Sequence, residues 1–129
     1  MSHDEAGFSL TVPSDWQVNS TGRGLSLVRK TPYGGGFPLV KIRRITSAEA
    51  EVLAVKGNRI RRSQGGEITY RYQRWSNARG TGYRLEALVR SDRGLLFADA
   101  SVWDSSTQIN RKFFETEFWP VINSLKEWP

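Results

Sequence analysis

Two consecutive stretches of two-residue alternation do most to restrict how this chain can fold. Within residues 67–75, Ile68, Tyr70 and Tyr72 fall on one side and Thr69, Arg71 and Gln73 on the other. After an Arg79-Gly80-Thr81-Gly82 loop, Tyr83, Leu85, Ala87 and Val89 make a second apolar row. A period of two sends alternate side chains to opposite faces of a pleated strand, so each stretch reads as a strand with one buried face. Ser91-Asp92-Arg93-Gly94 suits a type I turn with Gly94 in the left-handed position. The mostly apolar residues 95–103 that follow read as a strand in a central position.

The other segments extend this pattern. Residues 8–12 alternate apolar and polar and read as a half-buried strand. Pro13, with no N–H for a ladder, stops it, and Trp16 follows in a turn-like Ser14-Asp15 context. Residues 25–30 and 39–46 read as two more strands around a hairpin-like loop, Thr31-Pro32-Tyr33-Gly34-Gly35-Gly36-Phe37-Pro38. Thr46-Ser47-Ala48-Glu49 is a capping-box pattern opening a short helix through residues 54–56, with Gly57 as its stop. Residues 59–63 read as a strand and Gly65-Gly66 as a turn.

Towards the C-terminus, Ile109, Phe113, Phe118, Val121 or Ile122, and Leu125 recur at helical spacing. A helix is expected to start near residues 104–107 and to kink or break at Pro120. This order predicts an α+β fold: an antiparallel sheet of six to seven strands, a long C-terminal helix packed on one face, and a short helix between strands. Residues 1–7 are expected to form a flexible N-terminus and residues 8–129 a single domain. Five Trp, four Tyr and six Phe imply a core built around rings.

Charge is unevenly spread. Residues 23–93 carry sixteen Lys/Arg against five Asp/Glu, a local net of +11, whereas the segments before and after are net −3 and −2. A middle this basic calls for an anionic partner or an acidic counter-surface. Lys41, Arg43 and Arg44, with Arg59, Arg61 and Arg62, bracket the short helix, and Arg71, Arg74, Arg79 and Arg84 lie on or near neighbouring strands. If their outward side chains converge, they form a patch for phosphates or carboxylates through bidentate guanidinium contacts. The alternative is a set of solvated strand faces, paired with Glu67 and Glu86, that resists edge-to-edge aggregation. Tyr33 and Phe37 flank the glycine run and are candidate anchors for a partner.

Several chemistries find little support. There is no Cys, and the single His is His3, too near the end to be held as a catalytic base. Asp99 and Glu86, on adjacent strands, are the only plausible carboxylate couple, and a nearby Arg is the simpler reason for Asp99. Gly34-Gly35-Gly36 lacks the Gly-Lys-Ser/Thr and following helix of a phosphate loop. No cofactor or metal site is expected. Trp75 beside Arg71 and Arg74 could stack bases, but no nucleic-acid-binding signature accompanies it. No run reaches the ~18 apolar residues of a membrane span. As the sequence stands the protein reads as cytoplasmic, or as exported or lipid-anchored if a leader has been removed.

Two segments resemble the PsbP-like fold, shared by the photosystem II extrinsic protein, the Ran-binding nuclear import factor and small bacterial proteins. One is Phe8-Ser9-Leu10-Thr11-Val12-Pro13-Ser14-Asp15-Trp16, which looks like the family's opening strand followed by Pro and Trp. The other is the closing strand over residues 95–102 and a helix ending Val121-Ile122-Asn123-Ser124-Leu125-Lys126. The resemblance covers mainly the first ~16 and last ~35 residues, and it carries no binding residues over. It implies a domain that acts as an adaptor or assembly factor without catalysis. The expected function is therefore a non-catalytic interaction module binding an acidic protein partner through Tyr33, Phe37, Lys41, Arg43, Arg44, Arg59, Arg61, Arg62, Arg71 and Arg74. The alternative is a binder of polyanions, either nucleic acid or an anionic membrane surface.

Overall fold

In the computed structural model, which describes residues 2–5, 8–21, 24–31, 37–49, 51, 59–63, 66–78, 80–91, 94–104 and 113–127, the strands form two antiparallel sheets. In chain order they are β1 (Ser2–Glu5), β2 (Phe8–Thr11), β3 (Trp16–Thr21), β4 (Gly24–Arg29) and β5 (Leu39–Ile45). Then come β6 (Arg59–Ser63), β7 (Gly66–Asn77), β8 (Gly80–Ser91), β9 (Gly94–Asp104) and β10 (Lys126–Glu127). The larger sheet has seven strands in the order β3-β4-β5-β9-β8-β7-β6, and β1-β2-β10 form the smaller one. The chain runs inward from the β3 edge, crosses from β5 to the far edge at β6, and meanders back until β9 closes against β5. Residues 95–103 thus hold the expected central place.

The alternating rows explain which face is covered. Register sets Tyr70, Ala87, Ala98, Ile42 and Leu25 side by side across the sheet, and Tyr72, Leu85, Ala100, Val40, Leu27 and Val18 in the next row. Ala87, Ala98 and Ala100 are fully buried on the two central strands, where small side chains leave depth for the rings packed above. Those rings come from the C-terminal helical segment. Phe113, Phe114, Phe118 and Trp119 join Val121, Ile122 and Leu125 in one core cluster with the sheet residues. Phe118 meets Trp16, Phe113 and Phe114 with centroids 5.2–6.0 Å apart.

That helical segment departs from expectation in length and winding. The described helix runs from Phe113 to Asn123, about three turns, and residues 105–112 lie outside the described set. Strand β9 itself continues to Asp104, where a helix start was expected. Phe114–Phe118 is a π-turn, with the Trp119 N–H donating to the Phe114 carbonyl, and Trp119–Asn123 is α-helical. Pro120 supplies the reason: in an unbroken α-helix its ring would press on the carbonyl of Thr116, and widening the preceding turn relieves that clash. Ser124 then ties the helix end to β2, its Oγ accepting from the Thr11 N–H at 2.7 Å.

Three further strands lie where none was expected, one of them β10 at Lys126–Glu127, where the helix was expected to end. Trp16 opens β3 rather than sitting in a turn, and Ser2–Glu5, expected to be a flexible end, pairs with β2 as β1. The capping box does form: the Glu49 N–H donates to Thr46 Oγ1 (3.2 Å) and the Thr46 N–H to Glu49 Oε1 (3.4 Å). The helix it opens is described only at residues 47–49 and 51. Gly94 has the positive φ expected of it, +144°, while residues 92–93 of the expected turn lie outside the described set.

Candidate interaction surface

The candidate cations do not gather on one face. Alternation divides them between the side of the sheet that carries the helix and the side opposite it. Lys41, Arg43 and Arg71 sit in rows of the opposite face, beside Asp99, Phe97 and Glu86 respectively. Arg61 and Arg74 sit in helix-side rows, opposite Ile68 and Tyr83. Arg44, opposite Leu96, holds a helix-side position too; Arg59 and Arg62 pair in register with Tyr70 and Glu67, and their side chains lie outside the described set. Tyr33 and the three-glycine run lie outside the described residues, as does Arg79.

Five of the described arginines are already engaged by carboxylates. On the face away from the helix, Arg71 Nη2 lies 2.7 Å from Glu86 Oε1, and Arg84 grips Asp99 with two bonds, Nε to Oδ1 at 2.7 Å. Register lines up Lys41, Asp99, Glu86 and Arg71 across four adjacent strands. Gln73, with its amide turned to satisfy both neighbours, donates to Glu86 and accepts from Arg71. The result is a lattice of alternating charge across the central strands. Asp99, bonded to the guanidinium, also raises the Arg84 pKa above its ordinary value. The two carboxylates once eligible as an acid–base couple are therefore cross-strand neighbours, each held by its own arginine.

On the helix side, Arg61 reaches Glu115 through both guanidinium nitrogens (3.0 and 3.3 Å) and lies 4.2 Å over the Trp119 ring. Arg29 bridges Glu117 (2.9 Å) and Asp15 (3.3 Å). These clasps fasten β6 and β4 to the helical segment. Asp15, Asp99, Glu115 and Glu117 all belong to the acidic terminal segments, and their arginines to the basic middle. Much of the acidic counter-surface that the charge pattern called for lies within the chain itself. Each exposed pair contributes only about 0–1 kcal/mol, so the lattice matters more for arrangement than for stability.

Arg43 pairs with Glu49 at 2.9 Å and lies 5.7 Å from the Phe97 ring. Phe97 and Leu88 are buried on the face away from the helix, outside the main core cluster. The Arg43 guanidinium and the Thr46 N–H hold the Glu49 carboxyl below its ordinary pKa. A lowered folded-state pKa means the cap stabilises above the unfolded-state value and is lost as pH falls through the folded one. In a carboxyl NMR titration Glu49 is expected to titrate below an unpaired glutamate, and Arg43→Gln to bring its midpoint back up.

Some of the described cations make no ion pair, Lys41 at the end of the lattice row among them. Among the described residues Lys30, Lys41, Arg74 and Arg90 are exposed and make no carboxylate pair. Phe37 is 56% exposed and is the one large apolar side chain so placed among the described residues. The Arg29 N–H donates to the Pro38 carbonyl at 3.0 Å, which carries the β4–β5 register one step past the strand, with Lys30 and Phe37 the next residues on the two sides. Lys41 lies four residues further along the chain, within β5 and opposite Asp99. Sequence reading singled out Phe37 and Lys41 but missed Lys30, because only the register brings its strand end beside that of Phe37.

No family model matches the sequence, and no curated protein matches it. Among solved structures, a crystal structure from Bacteroides thetaiotaomicron VPI-5482 is similar, with a TM-score of 0.60 at 15% identity. The match covers 96% of this chain and 46% of that one, so the chain spans about half the length of that structure. A likeness at this identity defines the class of the domain: α+β, dominated by an antiparallel sheet. No described helix is long and apolar enough to cross a membrane.

Proposed function

We propose that this chain is a non-catalytic interaction module of the PsbP-like kind, an adaptor or assembly factor that docks an acidic protein partner. The contact is centred on Phe37 and takes in Lys30 and Lys41. The observation that carries this reading is the exposed Phe37 ring, with Lys30 and Lys41 exposed on the adjoining strand ends and making no carboxylate pair among the described residues. An aromatic side chain offers large apolar area at small entropic cost, and rim cations steer an acidic partner to it. The polyanion alternative draws on less, since Arg43, Arg61, Arg71 and Arg84 would each have to leave a carboxylate to reach a phosphate.

The test is retention of proteins from native extract on immobilised wild type and on Phe37→Ala, with affinity then measured for the protein retained. Loss of an anchoring ring is expected to weaken binding by roughly thirtyfold, equivalent to about 2 kcal/mol. Equal affinity for both would sink the role of Phe37. Tight binding of single-stranded RNA or anionic vesicles, with a steep salt dependence, would favour the alternative instead.

A further inference from the structure

The two edges of the large sheet are guarded very differently. Edge strand β6 reads Arg-Ile-Arg-Arg-Ser, so two such edges brought together would oppose three arginines each. Edge strand β3 reads Trp-Gln-Val-Asn-Ser-Thr, with no charge and no proline at any of its six positions.

Hydrogen-bond parity says which groups β3 leaves open. The Lys30 N–H donates to the Asp15 carbonyl at 2.7 Å, which fixes the bonded set of the β3–β4 ladder. In an antiparallel ladder bonded and non-bonded pairs alternate, so Gln17, Asn19 and Thr21 direct their backbone groups at β4. Val18 and Ser20 direct theirs outward. Trp16 is the third outward position, and its N–H is spent on the Pro13 carbonyl at 3.1 Å. Among the described residues nothing takes up the outward groups of Val18 and Ser20, while Gln17 and Asn19 are exposed beside them.

We propose that β3 is a self-association edge, on which a second copy of this chain pairs antiparallel about a two-fold axis at Asn19. In that arrangement Val18 faces Ser20 of the other copy, and the reverse, giving four backbone hydrogen bonds. Asn19 faces its own counterpart as a close non-bonded pair, and the amide side chain carries both donors and acceptors to meet an identical one. A two-fold contact requires a self-complementary surface, and an uncharged strand meets that requirement where the arginine-rich β6 does not. The two large sheets would then run on as one, with β6 left at both outer ends.

The absence of cysteine makes the test clean. Asn19→Cys is expected to give a disulfide-linked dimer under mild oxidation about tenfold or more faster than Ser14→Cys, an exposed control outside β3. Sedimentation of the unmodified chain should show reversible, concentration-dependent dimer, and Asn19→Lys should abolish it by setting like charges face to face. Asn19 is exposed, so neither variant removes a core group. A strictly monomeric wild type, or equal cross-linking of the two cysteine variants, would overturn the proposal. A partner captured at Phe37 by a monomeric chain would leave the proposed function standing and this inference refuted.

Discussion

Trp119→Ala is expected to bring the domain close to unfolding. Trp119 is fully buried and stands where sheet, helical segment and edge clasp meet. Its ring packs edge-on against Tyr70 with centroids 4.9 Å apart and carries the Arg61 guanidinium on one face at 4.2 Å. Its Nε1 donates to the Tyr72 hydroxyl at 2.6 Å. Truncating a buried Trp costs about 3–5 kcal/mol through lost transfer energy and the cavity left behind. Set against the roughly 5–15 kcal/mol that stabilises an ordinary domain, that is a large share. Urea unfolding should show a midpoint lowered by that energy divided by the slope, with the slope itself little changed. Trp119→Phe keeps most of the volume but leaves the Tyr72 hydroxyl without this donor, and should cost about 1–2 kcal/mol. Alanine and phenylalanine variants of equal stability would show that Trp119 is not the keystone of the core.

Gly24→Ala is the second large effect. An added Cβ would stand 1.9 Å from the Ile42 carbonyl oxygen and 2.9 Å from the Arg43 Cα. Both are backbone atoms of the paired strand, so no rotamer change can make room. Relief requires parting β4 from β5 at Gly24 and Arg43, beside the buried Leu25–Ile42 pair. Overpacking of this kind costs about 1–3 kcal/mol, and here the upper part of that range is expected because backbone must yield. Gly94→Ala is the useful comparison. There the added Cβ would meet only the Arg44 guanidinium at 3.3 Å, and the cost arises from φ +144° instead. Chemical-denaturation midpoints should therefore rank wild type above Gly94→Ala, and Gly94→Ala above Gly24→Ala. A Gly24→Ala protein as stable as wild type would contradict the close approach of the two strands.

What could be read in the chain beforehand was local. The rows of Ile68, Tyr70 and Tyr72 and of Tyr83, Leu85, Ala87 and Val89 announce β7 and β8 because period two is written in adjacent residues. The capping box is legible for the same reason. Strand β3 was hidden because its inward row, Trp16, Val18 and Ser20, ends in a polar residue after a turn signal. Ser2–Glu5 carries no apolar residue at all and is a strand only by pairing with β2. Pro120 announced a disturbance, but whether it breaks the helix or widens it depends on how the segment is held against the sheet.

The site was harder to read than the fold. Arg61 finds Glu115 fifty-four residues away, and Arg29 finds Glu117 across the whole domain, so neither pairing has a sequence signal. The basic middle and acidic ends did carry a true message, that opposite charges must meet. They meet in large part within one molecule, and among the described residues the exposed ring of Phe37 and the cations Lys30, Lys41, Arg74 and Arg90 are left turned outward.

The decisive measurement compares two double variants that each remove two positive charges. Arg43→Gln with Arg71→Gln removes two cations held in ion pairs, and Lys30→Gln with Lys41→Gln removes the two lysines assigned to the Phe37 contact. Affinity for the retained partner, measured by titration calorimetry at fixed ionic strength, should fall about tenfold or more for the lysine pair and stay within about twofold for the arginine pair. The reverse order, with the arginine pair losing the partner and the lysine pair keeping it, would contradict the account.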